Sequence, residues 1–108
     1  MLSKINRLTK KKDLDLVFKK GTSLKSDFLI FKVLKNNSKK LRVGFIVSKK
    51  VANKATVRNK IKRRLRAAVL SELKKNNKSA DIIIIALPGA QKKEFSEIMG
   101  AVSKFFKN

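Results

Sequence analysis

Apolar residues recur at helical spacing in three stretches of the chain and crowd together in three others. Between Lys11 and Lys20, Leu14, Val17 and Phe18 fall on one side of a short helix, and Gly21 stands at its C-cap. FLIFKVL (28–34) and RVGFIV (42–47) are β-rich runs separated by NNSKK (36–40). That pattern predicts two strands paired antiparallel across a short turn, with Thr22 to Lys25 as a short edge strand. Val57, Ile61, Leu65, Ala68, Val69 and Leu73 then make one stripe at i, i+3, i+4 spacing, with Asn53 or Thr56 as the N-cap and NNKS (76–79) as the stop. DIIIIAL (81–87) shows no alternation and reads as a strand buried on both faces. Pro88-Gly89 breaks it. A last helix, Lys92 to Phe106, turns Phe95, Ile98, Met99, Val102, Phe105 and Phe106 inward.

The order helix, strands, helix, strand, helix predicts an α+β fold, an α/β sandwich with helices packed on one small mixed sheet. The 108 residues contain no repeat or linker, so one domain, 1–108, is expected. Residues 1–10 read as a basic, partly ordered arm. Apolar residues make up 43%, which excludes compositional disorder. No stretch approaches the roughly 20 apolar residues of a membrane span, and no signal-peptide run opens the chain. A soluble cytoplasmic protein with no membrane partner is expected.

Charge changes the picture. The formal net charge is +22, from 29 cations against seven acids. Self-repulsion of that size disfavours a compact state unless a polyanion screens it. Asn and Ile are abundant beside Lys, and all three share A/T-rich codons, so nucleotide bias accounts for some of the lysines as readily as function does. Arginine resists that bias, and four of the six arginines (Arg58, Arg63, Arg64, Arg66) lie within nine residues. Their planar forks suit phosphate and base edges in a way lysine does not copy. On a helix, Arg58, Lys62 and Arg66 form one row, Asn59 and Arg63 a second, and Lys60 and Arg64 a third. Like charges four residues apart repel, and only an anion against the helix offsets that cost. Ser48, Lys49, Lys50 and Lys54 sit just upstream, within reach of phosphates at the helix N-terminus. The plainer alternative is a solvated basic face. The absence of any acid in the run weighs against it.

The pattern AxxRNKIKRxLR, Ala55 to Arg66, closely resembles the signature of the bacterial ribonuclease P protein family. RLTKKKDLDLVFKKGTS (7–23), RVGFIVSKKV (42–51) and DIIIIALPGA (81–90) are similar to further family segments in the same order. The resemblance implies the order αβββαβα and a left-handed β-α-β crossover, against the usual right-handed rule. It also implies a protein subunit that binds a catalytic RNA and assists removal of the 5′ leader from precursor tRNA. By position, Ser48, Lys49, Lys50, Lys54, Arg58, Asn59, Lys60, Lys62, Arg63 and Arg66 match the contacts to the catalytic RNA. Leu14, Phe18 and Phe31 match a cleft that holds the single-stranded leader, with Leu14 where the family often has an aromatic. For Phe18 and Phe31 the residues alone also fit core packing. Stacking on rings tolerates many leader sequences.

The chain has no histidine and no cysteine, so it lacks the usual zinc ligands and the usual base of a nucleophilic triad. Asp13 and Asp15, two apart on a helix, diverge, and Asp13 suits the helix dipole. Glu94 and Glu97 read as solvent-facing. No catalytic residue and no metal or cofactor bound by the chain is expected, and Mg²⁺ enters through the RNA subunit. Two rival readings stay open. A structural ribosomal protein would share the size and charge, but not the RNKIKRxLR pattern. A DNA-binding module would use 58–66 as a recognition helix, but no partner helix precedes it, and an all-round cationic surface favours backbone contacts.

Overall fold

The computed structural model describes residues 7–36, 40–75 and 79–107. Helix α1 (Lys11–Lys20) carries Asp13 in its first turn and Lys19 and Lys20 in its last, each sign complementing the helix dipole. It stops at Gly21, whose N–H donates to the Val17 carbonyl at 2.8 Å. A Cβ there would strike that carbonyl and press on Val33 O, so the close approach of α1 to the sheet requires glycine. Strands β1 (Thr22–Lys25), β2 (Leu29–Lys35) and β3 (Leu41–Ile46) follow, then helix α2 (Ala55–Leu73), strand β4 (Ala80–Ala86) and helix α3 (Phe95–Lys107). A single 3₁₀ turn, Ala90–Lys92, separates β4 from α3.

The four strands lie in the order β1-β2-β4-β3. The expected β2–β3 hairpin is therefore not formed. β4 lies between them, antiparallel to β2 and parallel to β3. The reason lies in β4 itself: six of its seven residues are buried, so it needs a strand on each edge and cover on both faces. Only β1–β2 is a hairpin of sequence neighbours, pairing Thr22 with Val33 through Lys25 with Ile30. Helix α2 is the crossover between the parallel neighbours β3 and β4.

The sheet divides the core in two. On one face α2 and α3 cover Leu29, Phe31, Val43, Ile82 and Ile84. Phe31 stacks on Phe105 of α3 with ring centroids 4.2 Å apart. On the other face α1 covers a smaller cluster, Leu8, Val17 and Ile83, bordered by Leu14, Leu34, Ile46 and Ile85. Gly44 of β3 admits this layer, because a Cβ there would press on Leu8 O and on Leu14.

Local expectations needed revision at two points. Helix α2 begins after Lys54 with no side-chain cap, so neither Asn53 nor Thr56 serves. Phe95 is 42% exposed rather than inward, because α3 starts there, a turn before its apolar face meets the sheet at Ile98. Glu97 instead receives the Glu94 N–H at 3.1 Å and closes the first turn. The turn expected at 36–40 and the stop at 76–79 lie largely outside the described residues.

Candidate nucleic-acid interface

The apolar stripe of α2 is buried as its spacing requires: Ile61, Leu65, Ala68 and Val69 are fully inside, and Val57 and Leu73 lie at the margin. Everything the stripe leaves outside is therefore presented together. Asn59, Lys60 and Arg63 are exposed, and Arg58, Lys62, Arg64 and Arg66 are half-buried at the sides. No acidic residue precedes Glu72 on the helix. Ser48, Lys49, Lys50 and Lys54 are exposed beside its N-terminus, in a turn closed by Val51 N–H donating to Ser48 O at 3.1 Å.

Two of the arginines are also structural. Arg58 Nη1 donates to the carbonyls of Ala52 (3.0 Å) and Asn53 (2.7 Å), which clamps the lysine-bearing loop onto the helix. Arg64 Nη1 donates to Lys93 O at 3.2 Å and ties α2 to the segment before α3. Arg66 lies over the Phe45 ring, 5.8 Å from its centroid. The arm extends the basic surface: Leu8 N–H donates to Val43 O at the outer edge of β3. There Arg7 and Thr9 join Lys62 and Arg66 around a hollow of about 330 Å³.

The opposite face of the sheet offers a different surface. Val17 anchors α1 to the sheet, which leaves Leu16 and Phe18 on the rim at 43% and 42% exposure, between Lys12 and Lys19. Lys32 of β2 stands beside them, its Nζ 5.5 Å from the Phe18 ring centroid and 3.0 Å from Ser23 Oγ. The result is a hollow along α1 in which an exposed ring has cations on both sides and the Asp15 carboxylate beside it. Leu14 is half-buried against Gly44 of β3 and does not line this surface.

Phe31 does not belong to this groove. It is 2% exposed and faces α3, on the far side of the sheet from Phe18. Successive strand residues point to opposite faces, so a one-residue difference in register exchanges core for groove. The strand residue that meets Phe18 is Lys32. Its signal in the sequence is that it is the one polar residue inside FLIFKVL.

Beneath the first turn of α1 lies an ion cluster the sequence did not reveal. Arg42 of β3 grips buried Asp81 of β4 with Nε at 2.8 Å and Nη2 at 2.7 Å. Asn36 also donates to Asp81, and Arg42 Nη1 reaches Asp13 of α1 at 3.3 Å. The Arg42 guanidinium is held above its ordinary value, first by the hydrogen bond to Asp81 and against the effect of burial. Among the described residues no group of three or more acidic side chains gathers as a metal site. No described helix is long and apolar enough to cross a membrane.

Residues 2–108 match the family model described as Ribonuclease P. The chain belongs to the ribonuclease P protein family. Among ribonuclease P protein components, that of Bacillus velezensis is 40% identical over 107 residues, covering 98% of this chain and 90% of the relative. That of Legionella pneumophila is 42% identical over 90 residues, covering 83% and 76%. The fold agrees as well. The ribonuclease P protein of Staphylococcus aureus superposes with a TM-score of 0.83 at 30% identity, covering 94% of this chain and 93% of that one. That of Thermotoga maritima, in complex with 1-(4-fluorophenyl)-2-thiourea, gives 0.86 at 28% identity, covering 94% and 98%. The family's role is 5′ processing of tRNA, and a partner RNA comes with it.

The α2 face is convex and cationic, a shape that suits the backbone of a folded RNA. The α1 surface carries an exposed ring beside cations, a combination that suits an unpaired strand.

Proposed function

We propose that this chain is the non-catalytic protein subunit of a ribonuclease P ribonucleoprotein, working in the cytoplasm. The exposed side of α2 and the adjoining loop, with Ser48, Lys49, Lys50, Lys54, Arg58, Asn59, Lys60, Lys62, Arg63 and Arg66, seat the catalytic RNA. The groove between α1 and the sheet takes the 5′ leader of precursor tRNA, with Phe18 as the stacking ring and Lys32 as its cationic neighbour. Hydrolysis belongs to the RNA subunit and its Mg²⁺. The described residues bring no acidic cluster together for such an ion, and the sequence holds no histidine for acid–base work.

One observation carries this reading. Two cationic surfaces lie on opposite faces of one sheet, and on α1 the exposed Phe18 ring has Lys32 beside it. A single nucleic-acid footprint does not call for both. The test is reconstitution. The purified chain alone cleaves nothing. With the RNA subunit and Mg²⁺ it yields specific 5′ cleavage and binds precursor more tightly than mature tRNA. If the chain leaves the RNA's preference for precursor unchanged, the leader half of the proposal is lost. If it cosediments with ribosomal subunits and ignores the RNA subunit, the whole reading is.

A further inference from the structure

The ion cluster under α1 is not absorbed by either surface. Only two charged residues are buried among those described, and Asp81, 4% exposed, is one of them. Arg42 engages both of its oxygens, and Asn36 shares one. That fixes the plane of the guanidinium and aims its remaining amine, Nη1, at Asp13 in the first turn of α1. We infer that Asp13 is a positioning residue for the leader groove, holding the outer end of α1 to the sheet through Arg42 and Asp81. The inference rests on the groove being the leader site.

The geometry explains why such a hold is needed. α1 has ten residues, too few to be stable alone. Its buried contact with the sheet centres on one side chain, Val17. Leu14 packs beside it, but apolar contacts are non-directional and leave a short helix free to roll and tilt. Asp13 and Val17 are four apart and share a face, so together they lock both motions. Phe18 follows Val17 by about 100° around the helix, so the roll of α1 sets how its ring stands against Lys32.

Charge supplies the discriminating sign. A carboxylate in the wall of a groove that binds an anionic strand repels the strand. If Asp13 acts only as a charge, removing it tightens binding. If it acts by position, removing it weakens binding. Asp15, exposed on the same helix, gives the charge effect alone.

The experiment uses the reconstituted holoenzyme and measures affinity for precursor and for mature tRNA. Asp13→Asn is expected to weaken precursor binding about fivefold, the scale of one charge-assisted contact. Affinity for mature tRNA and for the RNA subunit should hold, and Asp15→Asn should not weaken precursor. Arg42→Lys, which keeps the charge and leaves Asp13 at the helix dipole, should copy the loss. In a Phe18→Ala background Asp13→Asn should add little. In the free chain, nuclear Overhauser contacts between Phe18 and Lys32 should fade in Asp13→Asn, while circular dichroism shows α1 and the sheet retained.

An Asp13→Asn holoenzyme that binds precursor as well as or better than the parent overturns the inference. So does an Arg42→Lys holoenzyme that behaves as the parent, or a full additive loss on Phe18→Ala. If the unsubstituted complex does not distinguish precursor from mature tRNA, the leader reading falls and takes this role with it. That result is separate from a discriminating complex that is indifferent to Asp13.

Discussion

The two basic surfaces of this protein are built on opposite principles. On α2 the apolar stripe is consumed by the core, and what remains is a face of cations, with Phe45 under Arg66 and a hollow where the arm joins it. On α1 the core takes mainly Val17, and apolar side chains are left over at the rim. On the proposed function, the first surface recognises charge density and the second depends on where one ring stands relative to one lysine. Substitutions should therefore fail differently on the two sides, and the sheet between them should answer to neither partner.

The largest effect is expected in that sheet. Phe31→Ala removes a ring stacked between β2 and α3 and should cost about 3–5 kcal/mol of stability. Thermal melting by circular dichroism should fall by well over ~10 °C. Precursor binding by the protein that remains folded should be unaltered. A variant of normal melting temperature and poor leader affinity would return Phe31 to the groove and undo the division of the sheet into two faces.

Next comes the α2 face. Replacing Lys60, Lys62, Arg63 and Arg66 together by Gln should weaken assembly with the RNA subunit about a hundredfold at moderate salt. The slope of log affinity against log salt should flatten by about one for each phosphate that is no longer neutralised. Melting temperature should hold or rise, because like-charge repulsion along the helix is relieved. A lower affinity with an unchanged salt slope would mean that these residues act through the fold rather than through phosphates.

How far each surface was legible in the sequence follows from the same contrast. The α2 face needs only the helical period and the arginine cluster, both local, and it stands where the spacing put it. The α1 groove needs the parity of a strand. FLIFKVL has apolar residues at both parities, so Phe31 and Lys32 could not be assigned to faces without the sheet around them. The strands themselves were legible, but not their pairing. A short connection between two β-rich runs argues for a hairpin, and the demand of β4 for neighbours on both edges overrides it. Arg42 was hidden for a related reason. Its partners Asp81 and Asp13 lie 39 and 29 residues away, and nothing local marks it as paired.

In the groove, Phe18→Ala should weaken precursor affinity about tenfold, within the ~1–3 kcal/mol of one base stacked on one ring. Assembly with the RNA subunit should be unchanged. Equal losses in both constants would show that the two surfaces are not independent, and the contrast between them would have no basis.

The smallest effect tests the boundary between contact and scaffold on α2 itself. Arg58 lies in the basic row, yet its Nη1 is already committed to Ala52 O and Asn53 O. Arg58→Lys keeps the charge but cannot reproduce the planar two-carbonyl clamp. Arg58→Gln removes the charge, and its shorter side chain withdraws the donor from both carbonyls. If the clamp on the 49–54 loop is what assembly needs, the Lys variant should lose about fivefold in affinity for the RNA subunit, the scale of one hydrogen bond. The Gln variant should lose the clamp and the charge together, and the salt slope reports the charge separately. A silent Lys variant beside an impaired Gln variant would make Arg58 a plain phosphate contact. The loop lysines would then stand where they do without its help, held by the Ser48 turn alone.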